Sequence, residues 1–180
     1  STWDKNEITI QGTVSINSGE SDEAFDILTS TTGNTISIRN EIKNMKDLPQ
    51  RITIVDGSQK IVFKNKAEFK KYQEEQGKGK FQMMSTGVDM DISLEIKVPR
   101  HMITRVESVY GMVEIRDFLA PLTVKATYGG VDAALTEKAT GEIIAETNHG
   151  EIYTNLDVKF GGDKFRDEDF HTYVSAKPGT

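Results

Sequence analysis

Three segments decide how this chain folds: 106–115 reads VESVYGMVEI, 124–133 reads VKATYGGVDA and 145–154 reads AETNHGEIYT. Each centres on an aromatic residue or histidine, then glycine, then a variable residue, then Val or Ile. The cores are Tyr110-Gly111-Met112-Val113, Tyr128-Gly129-Gly130-Val131 and His149-Gly150-Glu151-Ile152, with glycines 18 and 21 residues apart. A period of about 20 residues with apolar side chains at alternate positions marks a β-repeat architecture.

Within each copy the apolar parity changes across the glycine. Leu122, Val124, Ala126 and Tyr128 are even-numbered, whereas Val131, Ala133 and Leu135 are odd, and Ile143 to His149 give way to Ile152, Thr154 and Leu156 in the same manner. The Gly-x pair therefore reads as a corner, because glycine adopts backbone conformations that a Cβ resists. Tyr110, Gly111, Tyr128, Gly129, His149 and Gly150 are the expected corner positions. A β-solenoid, with repeats stacked in parallel, satisfies such corners; so does an antiparallel meander or β-sandwich with tight turns. The solenoid is the expected form of this all-β chain, since equivalent residues recur in type as well as polarity.

Outward from the repeats, strand signals continue. Ile8/Ile10, Val14/Ile16, Phe25 to Leu28, Ile36/Ile38, Ile52/Ile54 and Ile61/Phe63 read as inward positions of short strands, and every second residue from Val88 to Val98 is apolar before Pro99 stops the ladder. One segment is helical in pattern: Asn65 caps, Glu68 follows three residues later, Phe69 and Tyr72 share a face, Lys70/Glu74 and Lys71/Glu75 are spaced i,i+4, and Gly77 stops it. It reads as a dispensable surface insertion. The expected organisation is one domain, 1–180, made of N-terminal strands (1–63), a helical insertion and loop (64–87), Gly-centred repeats (88–160) and a C-terminal segment (161–180).

Composition narrows the function. With 28 acidic against 22 basic side chains the net charge is −6, which repels phosphate backbones, so nucleic acid is not an expected partner. The absence of cysteine excludes disulfides and thiolate chemistry. No run of 18 apolar residues is present, so no membrane span is expected. The chain begins at Ser1 rather than Met, as a mature form freed of a signal peptide would, and as a trimmed chain also would.

Residues able to carry chemistry are few. His149 takes the place of Tyr110 and Tyr128 and reads as a corner residue, and His101 and His171 lack paired-His spacing for zinc. Asp163, Asp167, Glu168 and Asp169 cluster without the calcium-loop pattern and read as a solvated terminal loop. Asp89 and Asp91 on one strand face, and Lys66, Lys70 and Lys71 in the locally basic stretch 64–80, form a candidate ligand surface against the plainer reading of solvated faces. Trp3, Tyr110, Tyr128 and Tyr153 would suit sugar stacking if exposed, but their positions favour interior or corner packing. No nucleophile elbow, phosphate loop or dinucleotide fingerprint occurs. No catalytic residue, metal or cofactor is therefore assigned.

The stretch Ile92 to Phe160 resembles a family of bacterial secreted adhesin-like proteins of unknown function built from short β-strand repeats, related to autotransporter adhesin head domains. The features in common are the strand ending in Val98-Pro99, then Val106-Glu107-Ser108-Val109-Tyr110-Gly111, then the two further Gly-centred copies. Trp3 to Ile10 is similar to the family's first strand. The resemblance implies an exported β-solenoid of the periplasm, outer-membrane surface or extracellular space, without catalytic residues. The expected function is a non-catalytic envelope protein, either an adhesin or a structural surface module, with a glycan or extracellular protein as ligand or with self-association. A polysaccharide-acting β-helix enzyme is the alternative.

Overall fold

A computed structural model describes residues 1–76, 81, 83–157, 166–168 and 171–178. The strands are β1 (Thr2–Trp3), β2 (Thr9–Ile16), β3 (Phe25–Thr32), β4 (Thr35–Ile42), β5 (Arg51–Asp56) and β6 (Gln59–Phe63), followed by helix α1 (Lys66–Gln76). There follow β7 (Met83–Gly87), β8 (Met90–Pro99), β9 (Thr104–Ile115), β10 (Leu122–Ala133), β11 (Ile143–Asn148), β12 (Arg166–Glu168) and β13 (His171–Ala176). The protein is mostly β, as the alternation of the sequence requires. Its chain divides into two compact units, Gln11–Glu95 and Ser1–Ile10 with Ile96–Thr180.

The Gln11–Glu95 unit is built from antiparallel hairpins. β3 pairs with β4 and β5 with β6, and each connection is a two-residue turn opened by glycine at positive φ, Gly33 at 57° and Gly57 at 61°. β7 adds to the other side of β5. Ile52, Ile54 and Phe63 are buried at the centre of this sheet, with Ile61, Phe69, Tyr72 and Phe81 packed around them. The rings of Phe69 and Tyr72 lie 5.3 and 5.2 Å from that of Phe63, tilted as aromatic quadrupoles prefer. This corrects the reading of α1 as a dispensable insertion: its aromatic face closes the core. The cap is as expected, Asn65 Oδ1 accepting from the Ala67 and Glu68 amides at 2.9 and 3.0 Å.

β2 and the first part of β8 are neighbours in the same unit. They approach so closely at Gly12 that a Cβ there would overlap the Ser93 carbonyl. After β2 the chain turns through Asn17 and Ser18, both at positive φ (54° and 60°). Asn17 is fully buried, and its amide clamps two distant segments, donating to the Pro49 carbonyl at 2.8 Å and accepting from the Asp89 amide at 3.1 Å. A buried amide that satisfies both its polar ends fixes the strand order around it.

In the other unit β1 pairs in parallel with the end of β8, Thr2 opposite Val98 and Trp3 opposite Pro99. β9 and β10 form a parallel pair in register, Val106 opposite Val124, Tyr110 opposite Tyr128 and Gly111 opposite Gly129. Two repeats thus stack, one period apart. The third does not extend them: β11 pairs antiparallel with β13, on which Val174 and Ala176 are buried, and β12 lies on the other side of β13. The sheets of the described residues are small and separate rather than one continuous solenoid wall.

Candidate binding surface

β9 and β10 carry the most exposed apolar side chains that the repeats place together. Each strand reads inward at even positions up to its tyrosine; on β9 the inward set then becomes Val113 and Ile115. The parity change expected at the glycine is therefore present, and both strands run through it and remain paired on either side. The cause differs between the copies. Gly111 sits at φ 90° with open space around it, so its need for glycine is conformational. Gly129 is not at positive φ; a Cβ there would overlap the Gly111 carbonyl, so its need is close approach of the neighbouring strand. At the third copy the positive φ falls on His149, at 63°, and Gly150 has none. The three glycines are thus not equivalent corners.

The tyrosines are exposed, which overturns the interior alternative of the expected interior or corner packing. Tyr110 is 75% and Tyr128 66% exposed, and their rings stack 5.3 Å apart at an interplanar angle of 19°. That separation follows from strand spacing, since parallel neighbours lie about 4.8 Å apart and equal register puts like rings face to face. Val109, Met112 and Val131 of the same strands are also exposed. Polar groups frame the stripe: Arg105 meets Glu107 at 2.5 Å, and Arg116 bridges Glu114 at 3.5 Å and Asp132 at 2.6 Å. The carboxylate of Asp132 beside it holds the Arg116 guanidinium above its ordinary pKa. Trp3 is half-buried, its indole N–H donating to the Glu7 carbonyl at 2.8 Å with Lys5 over the ring. Tyr153 is exposed and donates to the Glu151 carboxylate; that hydrogen bond and the carboxylate's charge raise the phenol pKa.

The other candidates lie outside β9 and β10 in the sequence. Lys70 and Lys71 engage Glu74 and Glu75 at 3.7 and 3.8 Å on the solvent side of α1, and Lys66 is exposed at its start. Asp89 is not a free ligand: its carboxylate meets Lys60 at 2.6 Å and its backbone is held by Asn17. Asp91, by contrast, is exposed. His171 contacts Asn148 Oδ1 at 2.7 Å and Glu146 at 3.5 Å, His101 lies in the turn after β8, and His149 is exposed outside the β9–β10 ladder. Among the described residues no three His, Asp or Glu groups converge as metal ligands. Asp163 and Asp169 lie outside the described residues. So does Gly77, the expected helix stop.

Sequence reading missed Asn17, although Asn17-Ser18-Gly19 directly after a strand is a signal for left-handed backbone. Nothing local marks Pro49 and Asp89 as its partners. No helix among the described residues is long and apolar enough to cross a membrane. No protein-family model matches the chain, and neither a curated protein nor a solved structure matches it.

Proposed function

We propose that this protein is a non-catalytic binding module of the bacterial envelope, exported, and that it makes contact with its ligand through the β9–β10 stripe. The observation that carries the reading is the exposed, stacked Tyr110–Tyr128 pair. Surface tyrosines offer large apolar area with little side-chain entropy to lose, and their hydroxyls remain available for polar contacts, which suits a glycan or an extracellular protein. The parallel stacking of two copies also supports reading this part of the chain as two solenoid rungs, a rigid support for such a stripe.

The test is binding of the full chain to a glycan array and a panel of matrix proteins, beside the double variant Tyr110→Ala/Tyr128→Ala. Binding lost in the variant with its circular dichroism unchanged supports the reading. Binding indifferent to both substitutions, or release of unsaturated sugars absorbing in the ultraviolet, overturns it.

A further inference from the structure

β10 is one of two strands in its sheet, and among the described residues its second edge carries no strand. An isolated two-stranded parallel pair is an unusual object, because parallel sheets are ordinarily extended and covered. The repeat that would have filled this edge in a solenoid is used elsewhere, with β11 on β13. A mismatch in burial marks the same edge. Val113 is half-buried and Ile115 buried, whereas their register partners on β10, Val131 and Ala133, are exposed.

We infer that the open edge of β10 pairs with β10 of a second copy, antiparallel about a two-fold axis, forming a four-stranded sheet. The sequence of the strand is self-complementary in that arrangement. With the axis between Tyr128 and Gly129, Lys125 of one copy lies opposite Asp132 of the other, and the symmetry makes this pair twice. In the same register Ala126 faces Val131, Val124 faces Ala133, and Tyr128 covers Gly129. An aromatic side chain across from a strand glycine is a favourable cross-strand pair.

The parity change at the glycine makes this register consistent. Residues directly opposite in an antiparallel pair point to the same face. Lys125 and Asp132 are separated by an odd number of positions, yet both project outward, in register with Glu107 and Glu114. Lys125 forms no ion pair among the described residues, while Asp132 already has Arg116, leaving its carboxylate a second oxygen for Lys125 of the partner copy. Isologous two-fold pairing closes the edge, whereas parallel head-to-tail addition would propagate into a fibre.

Sedimentation equilibrium and light scattering of the full chain, from micromolar to millimolar concentration, test this. A discrete dimer is expected, weakening as salt screens the charge pairs. Lys125→Asp and Asp132→Lys, each confirmed as folded by circular dichroism, should both be monomeric, because each sets like charges opposite each other. Mixed together they restore both opposite-charge pairs and should form a heterodimer. A wild-type monomer at all concentrations, an open fibre, or a dimer unaffected by either charge reversal overturns the inference; so does failure of the two monomeric variants to combine. Ligand binding is not read in any of these measurements, so their outcome stands apart from the proposed contact surface.

Discussion

The β5–β6–β7 sheet with α1 and the β9–β10 pair solve the same problem in opposite ways. In the first, Phe63 is buried and ringed by Phe69, Tyr72 and Phe81, so the aromatic surface is spent inward. In the second, Tyr110 and Tyr128 stack on each other but stay in solvent. Aromatic content alone therefore says little about burial. What differs is whether another element crosses over the face: α1 does so for the first sheet, and its Asn65 cap starts it where its Phe69 and Tyr72 reach Phe63.

The largest effect should come from opening the closed core. Phe63→Ala removes the ring on which Phe69 and Tyr72 converge, and large-to-small aromatic substitutions in a core cost about 3–5 kcal/mol. Denaturant titration followed by far-ultraviolet circular dichroism should show that loss, and amide exchange should accelerate in α1 and β5 together. Unchanged stability would mean that α1 is the surface insertion its sequence suggests. Replacing residues 65–80 by a flexible linker should likewise unfold the sheet it covers.

The glycines of the parallel pair come next. Gly129→Val drives a side chain into the Gly111 backbone, which cannot yield without separating the strands. Gly130→Ser meets only the end of the Met112 side chain, which can move aside. Gly111→Val has space but a left-handed backbone, a strain on the order of 1–2 kcal/mol. Thermal unfolding should rank the damage as Gly129→Val, then Gly111→Val, then Gly130→Ser. Greater damage from Gly130→Ser than from Gly129→Val would show that the register of β9 on β10 is shifted by one residue.

Acid should have the smallest effect, and it distinguishes the hairpin unit through its charge pairs. Hydrogen bonding and attraction from Lys43, with a further hydrogen bond from the Ile27 amide, hold the Asp26 carboxyl below its ordinary pKa; Lys64 does the same for Glu20, with Arg51 assisting. A carboxyl depressed in the folded state binds its proton more readily when unfolded. Its contribution is thus present above the ordinary carboxylate range of about 4 and is lost as pH falls through the lower folded value. The melting temperature should decline gently below about pH 4, and Asp26→Asn should flatten part of that decline. A melting temperature that rises on acidification would contradict these pairings.

Much of the strand inventory was legible in the sequence because its signals are local. Alternation placed Ile52/Ile54 and Ile61/Phe63 on their strands, and Asn65 capped a helix. The likeness of the first two repeats also foretold their parallel register, since equal side chains stack at equal heights. The third copy carried the same motif and yet was drawn to β13, a partner that begins only at His171. Motif similarity does not weigh one available edge against another; the competition between edges is settled by which pairing buries more apolar surface. For the same reason, pattern alone could not show that Phe69 and Tyr72 face inward while Tyr110 and Tyr128 face outward. Each of these residues lies on an amphipathic element, and only the tertiary arrangement supplies, or withholds, the element that covers it.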